Sequence, residues 1–225
     1  MSIVKRLNQI FHFNDSISKI LRMQKVFVSD IADSIHCEWK KILEKMYGKK
    51  INKAMKMGTK IHEEYFSYNV KDPDKAEEKM ANGEPVEFSS KVNFIDRNRK
   101  IIVSGQVDSA TFEKDHIVKI VELKTRKELK IYNSDIIQAG TYALCFEKML
   151  KKTLDDLEIQ IKVKLRESNQ EHLEQYKFGD IRKYVLEKVE KNLDFWANMR
   201  EPKIADSLSI CQICSFFKIC DKKKI

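Results

Sequence analysis

Glycine and proline are scarce, with six and three in 225 residues. That excludes a turn-rich sandwich and favours long helices and strands. No apolar run approaches the roughly 20 residues that cross a bilayer. The opening stretch, MSIVKRLNQIFHFNDSI, carries charges where a secretory signal needs apolar residues. These two absences lead to the expectation of a cytoplasmic protein. There a disulfide framework is not expected, so the five cysteines need another purpose. Internal repeats and low-complexity linkers are also missing. Against these absences stand 42% hydrophobic residues, enough to build a core and exclude wholesale disorder. Lys and Arg number 43 against 34 Asp and Glu, and the net charge of +9 points to a polyanionic partner.

Residues 15–46 read as helical, with Ser29 as N-cap and Asp33 near the positive end of the dipole. A second helix is expected over 50–69, with Ile51, Met55, Ile61, Tyr65 and Phe66 as its apolar positions. Residues 71–85 contain Pro73, Gly83 and Pro85 and read as a mobile surface connection. The period then changes to two. Residues 86–94, 101–112 and 117–124 form three strands, the last two joined by a turn at Lys114-Asp115. A helix over 134–151 capped by Ser134, a strand over 157–166 and a helix over 179–199 follow. Hairpin strands, a crossover helix and a further strand imply an α/β fold, a mixed central sheet flanked by helices.

Gly105-Gln106-Val107-Asp108 falls on one expected strand and Val121-Glu122-Leu123-Lys124 on the next. A turn at Lys114-Asp115 sets Asp108 opposite Val121 or Glu122. Glu122 and Lys124 share a face because side chains alternate. Two carboxylates and a lysine therefore converge at one end of an apolar sheet, where charges need a partner or a metal. A divalent ion held by both acids and a backbone carbonyl would polarise a phosphate and acidify a water. The competing reading is a surface hairpin with an ordinary Glu-x-Lys pattern. On the following helix Gln138 and Tyr142 are one turn apart and share a face. Upstream, Gly58 precedes His62 by one turn, and the imidazole could complete a metal shell. Cys211-x2-Cys214-x5-Cys220 lies near the C-terminus, with Cys37 far upstream. Four thiolates suit either a [4Fe–4S] cluster or zinc. Cys145 reads as a small buried hydrophobe.

In order, the pattern is Cys37, Gly58…His62, Gly105-x2-Asp108, Glu122-x-Lys124, Gln138-x3-Tyr142 and the cysteine triplet. It resembles the RecB-like branch of the PD-(D/E)XK nucleases with an iron–sulfur cluster, and most closely the CRISPR-associated RecB-like exonuclease family. The resemblance runs from about Ser29 to Cys220. It implies one nuclease domain over 1–225, with a helical N-terminal segment over 1–50 carrying Cys37, a core over 51–200 and a cluster-binding tail over 201–225. Asp108, Glu122, His62 and the carbonyl of Leu123 would bind Mn²⁺ or Mg²⁺. Lys124 would be the catalytic lysine, with Gln138 and Tyr142 positioning DNA or water. Cys37, Cys211, Cys214 and Cys220 would bind [4Fe–4S]. Lys53, Lys56, Lys60, Arg126, Lys127 and Lys130 are candidates to line a basic groove for single-stranded DNA or frayed ends. The implied activity is a metal-dependent DNA exonuclease in CRISPR spacer acquisition, with CRISPR integrase proteins as partners. A viral or repair nuclease outside CRISPR, and a non-catalytic DNA-binding iron–sulfur subunit of a larger complex, are the rival expectations.

Overall fold

The computed structural model describes residues 2–49, 53–70 and 72–223. The N-terminal third departs from the expected helical stretch over 15–46. Helix α1 (Ile3–Ile20) is capped by Ser2 and buries Ile3, Val4 and Leu7. It stops at Leu21, and Arg22 turns the chain with φ +50°. The next stretch, Lys25-Val26-Phe27, is β-branched and aromatic and forms strand β1 (Gln24–Phe27). Helices α2 (Val28–Ser34) and α3 (Trp39–Tyr47) follow. Ser29 is not the N-cap, which is Phe27 and makes no side-chain cap bond. Asp33 instead pairs at 3.1 Å with the buried Lys41, whose ammonium also meets Asp30 and Glu44 at 2.9 Å each.

Helix α4 (Lys53–Tyr65) carries His62. Ile51 and the side chains of Lys53 and Met55 lie outside the described residues. The expected mobile connection over 71–85 is half helix. Asp72 accepts from the Asp74 N–H at 2.9 Å and Pro73 follows it, so Asp-Pro starts α5 (Pro73–Ala81).

The remaining elements are β2 (Val86–Phe88), β3 (Lys91–Asp96), β4 (Ile101–Gln106), β5 (Ser109–Glu113), β6 (His116–Arg126), α6 (Asn133–Leu150), β7 (Glu158–Leu165), β8 (Glu171–Lys177), α7 (Phe178–Trp196) and α8 (Leu208–Gln212). Helix α6 starts at Asn133 with Tyr132 as N-cap, so Ser134 lies inside the first turn and is not the cap.

The class is mixed α/β with helices against the sheets, as expected, but the strands form two sheets rather than one. Their orders are β1-β4-β3 and β2-β5-β6-β7-β8. Pairs β1–β4 and β6–β7 are parallel and the others antiparallel. Two of the expected strands each break in the middle and pass from one sheet to the other. The breaks fall at Ser89-Ser90 and at Val107-Asp108 and are bonded to each other. The Val107 N–H donates to the Ser90 carbonyl at 2.9 Å, and the Ser89 hydroxyl donates to the Val107 carbonyl at 2.8 Å. Asp108 therefore stands off the ladder, in the seam between sheets.

Helix α6 is buried on nearly all sides, against α2, α7 and both sheets. It brings Gln138 and Tyr142 to the seam, while Cys145 is fully buried and its thiol is pushed up by that burial. A second, smaller apolar cluster joins Phe66 and Tyr65 to Val121 and Leu123 on the opposite face of β6.

Candidate active site

Strand β5 ends its pairing with β6 at Ser109 opposite Val121. The Leu123 amide lies beyond that ladder, and Asp108 Oδ2 accepts its N–H at 2.9 Å. Asp108 Oδ1 lies 3.3 Å from His62 Nδ1. The backbone at this break is held by Asn69, whose Nδ2 donates to the Asp108 carbonyl at 3.1 Å and whose Oδ1 accepts from the Ser109 hydroxyl at 3.3 Å. Nothing local in the sequence marked Asn69, which follows an aromatic run and acts through contacts nearly 40 residues away.

Glu122 and Lys124 point from β6 to the α6 side. Lys124 Nζ is 2.8 Å from Glu122 Oε1 and donates to Gln138 Oε1 at 2.7 Å. Gln138 Nε2 donates to the same Glu122 oxygen at 2.7 Å and is 3.4 Å from the Tyr142 hydroxyl, which accepts from it. One Glu122 oxygen thus accepts two bonds, whereas Oε2 is buried with no hydrogen-bond partner among the described residues. Such an atom carries most of its desolvation cost unrelieved.

The electrostatics follow from this crowding. Burial, and then the charge of Asp108, push Glu122 up to about 7. Burial pulls Lys124 and His62 down, but the neighbouring carboxylates outweigh it and hold both above their ordinary values. Burial also lifts the Tyr142 hydroxyl well above its usual range, so it stays a neutral donor and acceptor.

Two glycines permit these approaches. A Cβ on Gly105 would stand 2.7 Å from Tyr142 Cε1 and 3.0 Å from a methyl of Val28. A Cβ on Gly58 would stand 3.0 Å from Thr125 Oγ1, so its absence lets α4 lie close over β6, one turn before His62.

The structure brings Asp108, Glu122, Lys124, Gln138, Tyr142, His62 and Leu123 into one neighbourhood. Among the described residues, no three His, Cys, Asp or Glu side chains already converge closely enough to hold an ion. The basic candidates are more scattered. Lys56 and Lys60 are exposed on α4, and Lys60 is 3.8 Å from Glu64. The side chain of Lys53 is outside the described residues. Lys127 and Lys130 are exposed after β6. Arg126 is already engaged. It donates to the buried Asp135 at 2.5 Å and to the Lys130 carbonyl at 2.7 Å, and its guanidinium stacks 4.5 Å from the Tyr132 ring centre.

Away from this seam, Cys37, Cys211, Cys214 and Cys220 all line one cavity of about 450 Å³, together with Trp39, Tyr132 and Phe217. The tail is also gripped directly. Buried Glu38 accepts from the Lys203 N–H at 2.6 Å and from Arg200 Nη1 at 2.7 Å, and the Trp39 indole donates to Asp221 at 3.0 Å. Nothing near Glu38 and Trp39 in the sequence signals these roles, because their partners lie more than 160 residues on.

A family model described as the PD-(D/E)XK nuclease superfamily matches residues 22–221. No curated protein matches the chain. The crystal structure of SSO0001 superposes with a TM-score of 0.52 and 14% identity, covering 90% of this chain and 88% of that one. An alkaline exonuclease, LHK-Exo of Laribacter hongkongensis, gives a TM-score of 0.45 and 14% identity over 79% of this chain and 92% of that one. The first likeness is one of fold.

Proposed function

The chain belongs to the PD-(D/E)XK nuclease superfamily, and we propose that it hydrolyses DNA phosphodiester bonds with a divalent cation at the seam between its sheets. The observation that carries this reading is the Asp108–Glu122 pair. Two acids adjoin across a strand end, and one buried Glu122 oxygen has no partner among the described residues. Hard oxygen donors with an unsatisfied lone pair suit Mg²⁺ or Mn²⁺. Asp108, Glu122, His62 and the Leu123 carbonyl would hold the ion, which supplies a Lewis acid for the phosphate and acidifies a water.

The chain's own groups do the rest. Lys124 is fixed by Glu122 and Gln138, and 20% of its side chain is exposed. Its ammonium can therefore donate to a phosphoryl oxygen as negative charge grows there. Gln138 keeps Lys124 and Glu122 in register, and Tyr142 holds Gln138. Exposed Lys56, Lys60, Lys127 and Lys130, with Lys53 on the same helix as Lys56, would meet phosphates in this reading.

The cysteine cavity is read as a [4Fe–4S] site. Its support is the donor set, four thiols lining one cavity, although among the described residues no three of them already converge as ligands. Exonucleolytic action on single strands or frayed ends, and a setting in CRISPR spacer acquisition with integrase proteins as partners, follow from the resemblance of motif order. We retain one domain, 1–225, with the division at 50 and 200.

One preparation tests both metals. Protein purified without oxygen is expected to be brown, with a visible band that bleaches on reduction. It is then expected to degrade end-labelled single-stranded DNA in Mn²⁺ and not in EDTA. Colourless, zinc-containing protein would refute the cluster. DNA left intact in Mn²⁺ would refute the hydrolase and favour a non-catalytic binding subunit.

A further inference from the structure

Tyr65 lies one turn beyond His62 on α4, and two ammonium groups approach its ring. Lys162 Nζ and Lys164 Nζ stand 5.6 and 5.7 Å from the ring centre. Both lysines come from β7, the strand beside the candidate catalytic strand. The register sets Lys162 beside Leu123 and Lys164 beside Thr125, on the face of the sheet that α4 covers. The Lys162 backbone is therefore one strand spacing, roughly 4.8 Å, from the Leu123 backbone that receives Asp108, and Lys164 lies two residues further along β7. Between α4 and the β7–β8 turn runs an open groove, with Ile61 and Tyr65 on one wall and Lys164 and Arg166 on the other.

The present partners of these cations are weak. Lys164 is 3.8 Å from Glu171, and Lys162 donates to the Tyr65 hydroxyl at 3.3 Å. Both ammonium groups are half-buried, and neither a 3.8 Å ion pair nor a long hydrogen bond to a neutral hydroxyl holds one firmly enough to keep it from a phosphate. Glu64 and Glu167 also line the groove, so it is not a uniform basic trough that would hold any polyanion. A half-buried aromatic ring with two releasable ammonium groups fits alternating base and phosphate. That is the repeat of a single strand, whose bases are free to stack, and not of a duplex.

We propose that this groove is the track for single-stranded DNA next to the hydrolytic seam, with Tyr65 as the stacking platform and Lys162 and Lys164 as phosphate ligands. The proposal rests on the nuclease reading for its substrate, but its test does not need hydrolysis. Binding of a dye-labelled oligothymidylate is followed by fluorescence anisotropy in EDTA across a salt series. Replacing both lysines (Lys162→Gln with Lys164→Gln) is expected to lower the slope of log affinity against log salt by about 1.4. Tyr65→Leu, which keeps the apolar packing on Phe66, is expected to weaken binding about tenfold, and Tyr65→Phe to restore it. Affinity for the matched duplex is expected to change little in all three variants. An unchanged salt slope in the lysine variant, parental affinity in Tyr65→Leu, or equal losses on duplex and single strand would each overturn the proposal. Parent protein that binds the oligomer but never cleaves it in Mn²⁺ would count against the nuclease reading and leave the groove standing.

Discussion

Lys124→Ala is expected to lower the cleavage rate by about 100- to 1000-fold, the usual loss when one fixed donor to a transition-state oxyanion is removed. The size of the effect follows from how tightly the ammonium is held. It bonds Gln138 at 2.7 Å and Glu122 at 2.8 Å, so it costs little to bring it to the phosphate again at each turnover. Alanine also leaves Glu122 buried, with only the Gln138 amide facing its charge. Where Glu122 is charged, above about pH 7, losing its counter-charge destabilises the fold, and below that pH the carboxyl protonates and the loss shrinks. The variant should therefore melt earlier in EDTA and recover in Mn²⁺, because a cation can replace the lost counter-charge while the rate stays low. Single-turnover cleavage of end-labelled DNA, with thermal melts in both conditions, separates the two losses. Parental cleavage in the folded variant would remove Lys124 from the site.

Glu122→Gln is expected to abolish metal-dependent cleavage and yet, in EDTA at alkaline pH, to make the chain more stable. Burial and the Asp108 charge raise this acid from an ordinary 4.5 to about 7. A carboxyl raised in the folded state stabilises the fold when protonated. That contribution is complete below about 4.5 and is lost as pH rises through about 7. Above that point the parent carries a buried charge with an orphaned oxygen, while the amide carries none. Lys124 keeps Gln138 as a partner in the variant. The variant's advantage in melting temperature should therefore appear above pH 7 and vanish toward pH 4.5. Saturating Mn²⁺ should reverse the order by stabilising only the parent. A parent more stable than the variant at high pH in EDTA would show that the charge is not strained.

The chemistry of the seam was easier to read than its construction. Glu122 and Lys124 share a face because period-two alternation holds along β6, and Gln138 and Tyr142 share one because a helix repeats every turn. Both facts are local. The break at Val107-Asp108 is not local: residues 101–112 read as one strand, and only pairing with two different sheets divides them. That division is what frees Asp108 to reach Leu123 and His62. Strand β1 was hidden for a similar reason, since its four residues gain their ladder only from β4, about 75 residues later. Strand β8 was missed because it is an edge strand whose side chains are mostly exposed, so no apolar alternation marks it. The start of α5 was legible in Asp72-Pro73, and the proline was read as a break when it is the first residue of a helix. The pairing of Arg126 with buried Asp135 was not legible either, because it is made only through the β6–α6 turn.

Asp108 and Glu122 are expected to grip one divalent cation in the seam between the sheets, and the whole hydrolytic reading depends on that grip. Crystals grown in manganese, with diffraction recorded at the manganese absorption edge, test it most directly. The expected result is an anomalous peak within about 2.3 Å of oxygens from both acids, with the Glu122 oxygen that now lacks a partner among its ligands. A map with no peak there, and with Glu122 still turned wholly to Lys124 and Gln138, would contradict it.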